Sequence, residues 1–152
     1  MKKVFAVILT VALMATMSVS AFAANTIGCD ADITTSIDPT YTVTIPADVN
    51  VQFNATETAF GTIEVTASQI HPDKCIKVAL TTDGELNNAI DNTKVIPYEI
   101  QDGEGTEFTS ATYLTEGDKT ELSIHITADD WNAAYAGEYS DTVTFTVSYE
   151  DK

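Results

Sequence analysis

Few residues in this chain have the type and spacing to do chemistry together. Two histidines, His71 and His125, and two cysteines, Cys29 and Cys75, stand among 23 aspartates and glutamates. A serine-type hydrolase needs a histidine beside a nucleophile and oriented by an acid. His71 falls in the turn-forming stretch His71-Pro72-Asp73-Lys74, and His125 lies out of phase with Leu122, Ile124 and Ile126. No nucleophile motif accompanies either, so both read as surface histidines. Carboxylates are spread so widely that no pair stands out as a glycosidase couple. His71, Cys75 and His125 do not make a metal-ligand spacing. The acidic turns around Asp102, Glu104 and Glu107, and around Glu116 and Asp118, offer the hard oxygens that calcium takes. Neither follows the D-x-D-x-D-G pattern, and acidic turns arise by default in such a composition. The expectation is a non-enzyme with no bound cofactor or metal.

The cysteines take their meaning from the N-terminus. MKKVFAVILTVALMATMSVSAFA places Lys2 and Lys3 before an apolar run and ends it on the small-residue site Ala21-Phe22-Ala23. That three-part order is a secretory signal peptide, residues 1–23, and its apolar core is too short for a bilayer span. The remaining residues, 24–152, suit one domain. Export permits oxidation, and an even pair of cysteines in a secreted chain points to a Cys29–Cys75 disulfide. Closing that loop of about 46 residues would stabilise by roughly 4 kcal/mol. The parity is awkward, because Cys75 alternates against Ile76, Val78 and Leu80. A bulge or an edge position would reconcile it; two free thiols are the alternative. Lipidation of Cys29 is disfavoured by the preceding Thr26-Ile27-Gly28.

Without the leader, five lysines and no arginine face all 23 acids, so the formal charge is 5 minus 23, or −18. Nucleic acid and anionic membrane are excluded as partners, since phosphate binding relies on clustered Lys and Arg. No membrane insertion is expected once the leader is gone.

Strand signals dominate, with turn residues between them at intervals of roughly 8 to 15 residues. The expected strands are 29–37, 41–46, 49–53, 61–67, 74–81, 94–100, 108–114, 120–127 and 138–150. Most alternate, as in Tyr41, Val43, Ile45 or Leu122, Ile124, Ile126, burying one face of an antiparallel sheet. Pro97, inside a strand pattern, implies an edge or a bulge. One short helix is expected over Ala128–Ala134 with Thr127 as N-cap. Trp131 and Tyr135 lie four apart and would share its face, either as an exposed pair that stacks on a sugar or as a lid on the core. Asn54-Ala55-Thr56 matches a glycosylation sequon.

The closing stretch AGEYSDTVTFTVSYE carries the strongest alternation, with Tyr139, Val143, Phe145, Val147 and Tyr149 set against Ser and Thr. Its Ala136-Gly137-Glu138-Tyr139 start resembles the tyrosine corner of immunoglobulin-like sandwiches, where an early Tyr of strand F bonds back to the backbone and a following strand G completes the sheet. Only Asp151 and Lys152 follow here. The Gly137-to-Tyr149 spacing of twelve residues, with apolar positions alternating between, resembles bacterial pilin subunits of the chaperone-usher and spore-coat-protein-U kind. That resemblance implies early and middle-strand cysteines in a disulfide, which Cys29 and Cys75 match in placement. It also implies strand complementation: the groove beside Gly137, Tyr139, Val143, Phe145, Val147 and Tyr149 is filled by an extended segment of the next subunit. Ile27, Ala31, Ile33 and Ile37 alternate as such a donor would. Asp151 and Lys152 extend past the usual end, and Cys29 lies inside the donor segment, so the same segment folding back on its own domain stays open.

The expectation is therefore an all-β, Ig-like antiparallel β-sandwich of about eight or nine strands with one short helix, secreted to the bacterial surface. Its role would be structural or adhesive, as a fimbrial subunit with itself or other surface subunits as partners. The alternative is a monomeric extracellular module binding a glycan or host ligand through Trp131 and Tyr135.

Overall fold

The computed structural model describes residues 31–152. The chain divides into two units, Met1–Thr35 and Ser36–Lys152. Residues 31–35 of the first have no regular secondary structure. The second contains β1 (Thr40–Thr44), β2 (Glu57–Gln69), β3 (Lys74–Thr81), β4 (Glu85–Asn88), β5 (Val95–Pro97), β6 (Glu99–Asp102), β7 (Ser110–Tyr113), β8 (Lys119–His125), α1 (Ala128–Ala133), β9 (Tyr139–Ser140) and β10 (Thr144–Asp151). These strands form three sheets, in the orders β1-β2-β8-β6, β10-β3-β7 and β5-β4-β9. Every pairing is antiparallel. The fold is all-β with one short helix among the described residues, as the alternation implies.

The alternating apolar residues converge on one core. Ile63 and Val65 of β2, Ile76 and Val78 of β3, Ile96 of β5, and Leu122 and Ile124 of β8 are buried in a single cluster. All three sheets therefore contribute to the same interior. Each such side chain contributes about 1.5–3 kcal/mol of burial.

Several boundaries differ from the sequence reading, and each difference has a local cause. Residues 31–37, the described part of the expected strand 29–37, carry no strand. Residues 49–53 alternate but pair with nothing and form a connector. The expected strand 94–100 breaks at Tyr98, whose N–H donates to the Gly84 carbonyl (2.8 Å) and turns the chain from one sheet into another. Pro97 sits on the edge strand β5, where its missing N–H costs nothing. The expected strand 138–150 breaks after Ser140, where the Asp141 carboxylate accepts the Thr142 N–H (2.6 Å). β9 then pairs with β4 and β10 with β3. β4, Glu85-Leu86-Asn87-Asn88, has no periodic signal, and its neighbours supply its pairing.

α1 begins on Thr127, whose hydroxyl oxygen accepts the Asp130 N–H (3.1 Å). It ends at Ala134, which is extended at φ −68 and ψ 141. Tyr135 thus lies beyond the helix and does not share a helical face with Trp131. Cys29 lies outside the described residues. Cys75 is buried at 4% exposure although β3 is the centre of its sheet and pairs with β10 in unbroken register, so neither bulge nor edge accounts for it.

Candidate strand-accepting groove

β10 is held along one edge only. Its residues Thr144–Asp151 pair with Thr81–Lys74 of β3, and its other edge has no partner among the described residues. The sheet containing β1 ends beside it: Tyr41 of β1 stacks on Tyr149 of β10 (centroids 5.8 Å apart), and Phe60 of β2 lies against Phe145 (6.0 Å). The inward side chains of β10 are left partly uncovered, and Val147 is 38% exposed. β3, one strand further in, buries Ile76 and Val78 completely. An edge with unmet N–H and C=O groups beside half-covered apolar side chains is what an added strand satisfies.

A groove of about 1090 Å³ lies at the start of β10, lined by the 137–143 stretch that precedes the strand and by Phe145 of the strand itself. Val143 and Phe145 line it together with Ile45, Val49 and Val51 of the 45–53 connector. Its floor reaches the core at Ile100 and Ile124. Pro46 sets the height of the connector by packing on Gly61, where β2 bulges between Ala59 and Gly61. Gly61 has φ +140, and a Cβ there would lie 3.1 Å from Pro46 Cβ.

The residues expected to form the groove divide. Gly137, Tyr139, Val143 and Phe145 line it. Val147 and Tyr149 lie beyond it, and Tyr149 is engaged by Tyr41 and by the His71 N–H, which donates to its hydroxyl (2.9 Å). Of the donor candidates, Ile27 lies outside the described residues; Ala31, Ile33 and Ile37 are exposed.

The groove's entrance is built by the corner that precedes it. The Tyr139 hydroxyl donates to the Tyr135 carbonyl (3.0 Å), closing the loop that Gly137 turns at φ +154. A polar cluster marks the β9–β10 break: the Tyr98 hydroxyl donates to Asp141 (2.5 Å), and the Thr82 hydroxyl is 2.7 Å from the Tyr98 oxygen. Burial, with the Asp141 carboxylate next, holds the Tyr98 hydroxyl far above its ordinary range, so it stays a donor.

The far half of β10 is pinned. Lys74 pairs with Asp151, Lys77 with Glu150 (3.5 Å), and the Lys152 N–H donates to the Asp73 carbonyl (3.0 Å). The Ser148 hydroxyl and then Lys77 keep the Glu150 carboxyl below its usual value. Asp151 and Lys152, which depart from the resemblance, thus extend the pairing with β3. Cys75 lies under this clasp, its thiol 3.8 Å from the Asp151 carbonyl.

The acidic turns use their carboxylates locally. Asp102 accepts the N–H groups of Glu104 (2.9 Å) and Thr106 (3.0 Å). Asp118 accepts those of Leu114 (2.7 Å) and Thr115 (2.9 Å), which hold its carboxyl below the usual range. Among the described residues no group of three or more His, Cys, Asp or Glu is placed to hold a metal. His125 is half-buried in β8 and His71 is exposed in its turn, paired with Asp73. No helix among the described residues is long and apolar enough to cross a membrane.

No protein-family model matches the chain, and no curated protein matches it either.

Proposed function

We propose that this protein is a secreted bacterial surface protein with a structural or adhesive role, a fibre subunit whose β10 edge accepts an extended strand from a neighbouring copy. The observation that carries the proposal is the unpaired edge of β10 beside half-covered Val143, Phe145 and Val147. The strand orders support it: β1-β2-β8-β6 follows the A-B-E-D order and β10-β3 the F-C order of an Ig-like sandwich, with the place of strand G unoccupied among the described residues, while β7, beside β3, is an addition to that layout. The tyrosine corner before β10 falls where that layout puts it. The leader at residues 1–23 supports export, and the alternating segment 27–37 is the donor the reading names.

The test is assembly of the mature chain. High-mass ladders on unboiled denaturing gels are expected, lost on deletion of residues 24–37 and on Val143→Asp, with a synthetic 24–37 peptide raising the melting temperature of the truncated chain. A sharp monomer peak at high concentration, unchanged by the truncation, would sink the reading.

A further inference from the structure

Adjoining the groove, and sharing Phe53, Ile96, Trp131, Gly137 and Tyr139 with it, the 53–54 turn and the chain leaving α1 bound a cleft of about 630 Å³. Its aromatic residues are of two kinds. Trp131 is half-buried and structural: its indole N–H donates to the Ala55 carbonyl (2.9 Å), and the Phe53 ring meets it edge-on at 5.6 Å. Phe53 and Tyr135 instead leave their rings in water, at 77% and 63% exposure. Burial of apolar surface stabilises a fold, so two rings held outside it on the rim of one cleft contribute little to stability. Both are held in place. The turn that presents Phe53 is set by Asn54 at φ +63, and the Lys94 ammonium sits 4.8 Å from the Tyr135 ring centroid.

The rim supplies the matching polar groups. Asn54 and Asn132 are exposed and line the cleft, and each amide both donates and accepts. Flat apolar rings beside bifunctional amides fit a ligand with a C–H face and a hydroxyl edge, which is a pyranose. The volume falls in the range of small-ligand sites. Charge narrows the class further: no charged side chain among the described residues lines the cleft, Lys94 is engaged on the Tyr135 ring, and the chain's formal −16 adds a general bias against sulfated, phosphorylated and uronic sugars. We propose that this cleft binds a neutral saccharide, with Phe53 and Tyr135 as stacking platforms and Asn54 and Asn132 as hydroxyl partners. The site goes beyond the strand-accepting reading: Phe53 lines both groove and cleft, whereas Asn54, Asn132 and Tyr135 line the cleft and not the groove, so those three separate the two.

Trp131 is the chain's only tryptophan and lines the cleft, so its fluorescence reports occupancy. The mature protein is titrated with lactose, mannobiose and chitobiose, with glucuronic acid as the charged control, and the same sugars are followed by saturation-transfer NMR. A saturable response to at least one neutral sugar is expected, with Kd on the order of 0.1–1 mM, and none to glucuronic acid. Phe53→Ala and Tyr135→Ala each weaken it tenfold or more at unchanged melting temperature, whereas Tyr135→Phe, which keeps the ring, retains it. No saturable response to any of the three, or a response undiminished in both alanine variants, overturns the proposal. Self-association lost in Tyr135→Ala without sugar binding also overturns it and assigns that ring to a contact with a second copy. Strand-peptide binding by the Tyr135→Ala protein remains intact in every case, which separates this outcome from the fate of the groove.

Discussion

Gly137→Ala tests the construction of the corner most directly. Gly137 stands at φ +154, outside the range that L side chains favour, and holding alanine there costs about 1–3 kcal/mol. A Cβ would also collide with the side-chain amide of Asn88 from the neighbouring strand β4. Asn88 is only 8% exposed, and its carbonyl oxygen accepts the N–H groups of Ile90 (2.9 Å) and Asp91 (3.2 Å). Moving that side chain aside forfeits both bonds, each contributing about 0.5–1.5 kcal/mol. The entropy lost from the unfolded chain on replacing glycine returns about 0.4–1 kcal/mol. The net expectation is a loss of about 1–5.5 kcal/mol, set against the roughly 5–15 kcal/mol that holds a domain together. Urea unfolding of the single variants and of the double variant with Asn88→Ala measures it. With Asn88 already truncated the collision and the bond loss vanish, leaving only the backbone cost, so the two changes should couple by more than 1 kcal/mol. Additivity within about 0.5 kcal/mol would refute the collision as the cause.

Tyr139→Phe removes only the corner hydroxyl and should cost about 1 kcal/mol in the same assay; no change would mean that the bond to the Tyr135 carbonyl holds nothing. Val78→Ala, at a fully buried position of the central strand β3, should cost about 2–4 kcal/mol, against less than 1 for Val147→Ala at 38% exposure. Asp118→Asn should destabilise at neutral pH. The folded carboxyl titrates below its unfolded value, so its contribution is full above the ordinary carboxylate range and is lost as pH falls through the depressed value. Wild type and variant should therefore converge in acid, and a gap that persists there would assign the loss to packing.

Legibility varied with the range of the interaction that decides each feature. The N-cap at Thr127, the edge position of Pro97, the outward His125 and the Gly-Tyr corner were all readable, because each depends on a few neighbouring residues. The β3 boundaries were readable for the same reason, since Lys74–Thr81 is an apolar-rich run bounded by turns, even though Cys75 breaks its alternation. The segment Val49-Asn50-Val51-Gln52-Phe53 alternates just as well and is no strand, because alternation measures the capacity to pair and not the presence of a partner. Phe53 was missed as a site residue on that account: it stood only as the last residue of the expected strand 49–53, and it is the most exposed aromatic residue of the described residues. Trp131 and Tyr135 were noticed as a pair, yet the helix ends between them, and one became structural while the other stayed in water.

Periodicity, composition and local backbone chemistry were enough to read from the sequence the all-β class, the acidic composition and the one short helix of the described residues. Tertiary structure alone decided which strand edges are paired, how the 45–53 connector walls the groove and which rings remain outside the core. Those outcomes depend on hydrogen bonds and contacts between residues far apart in the chain. The bonds of β10 to β3 are the clearest case, because the same alternating strand could have been flanked on both sides, and only its place in the assembled sheet leaves it with one partner among the described residues.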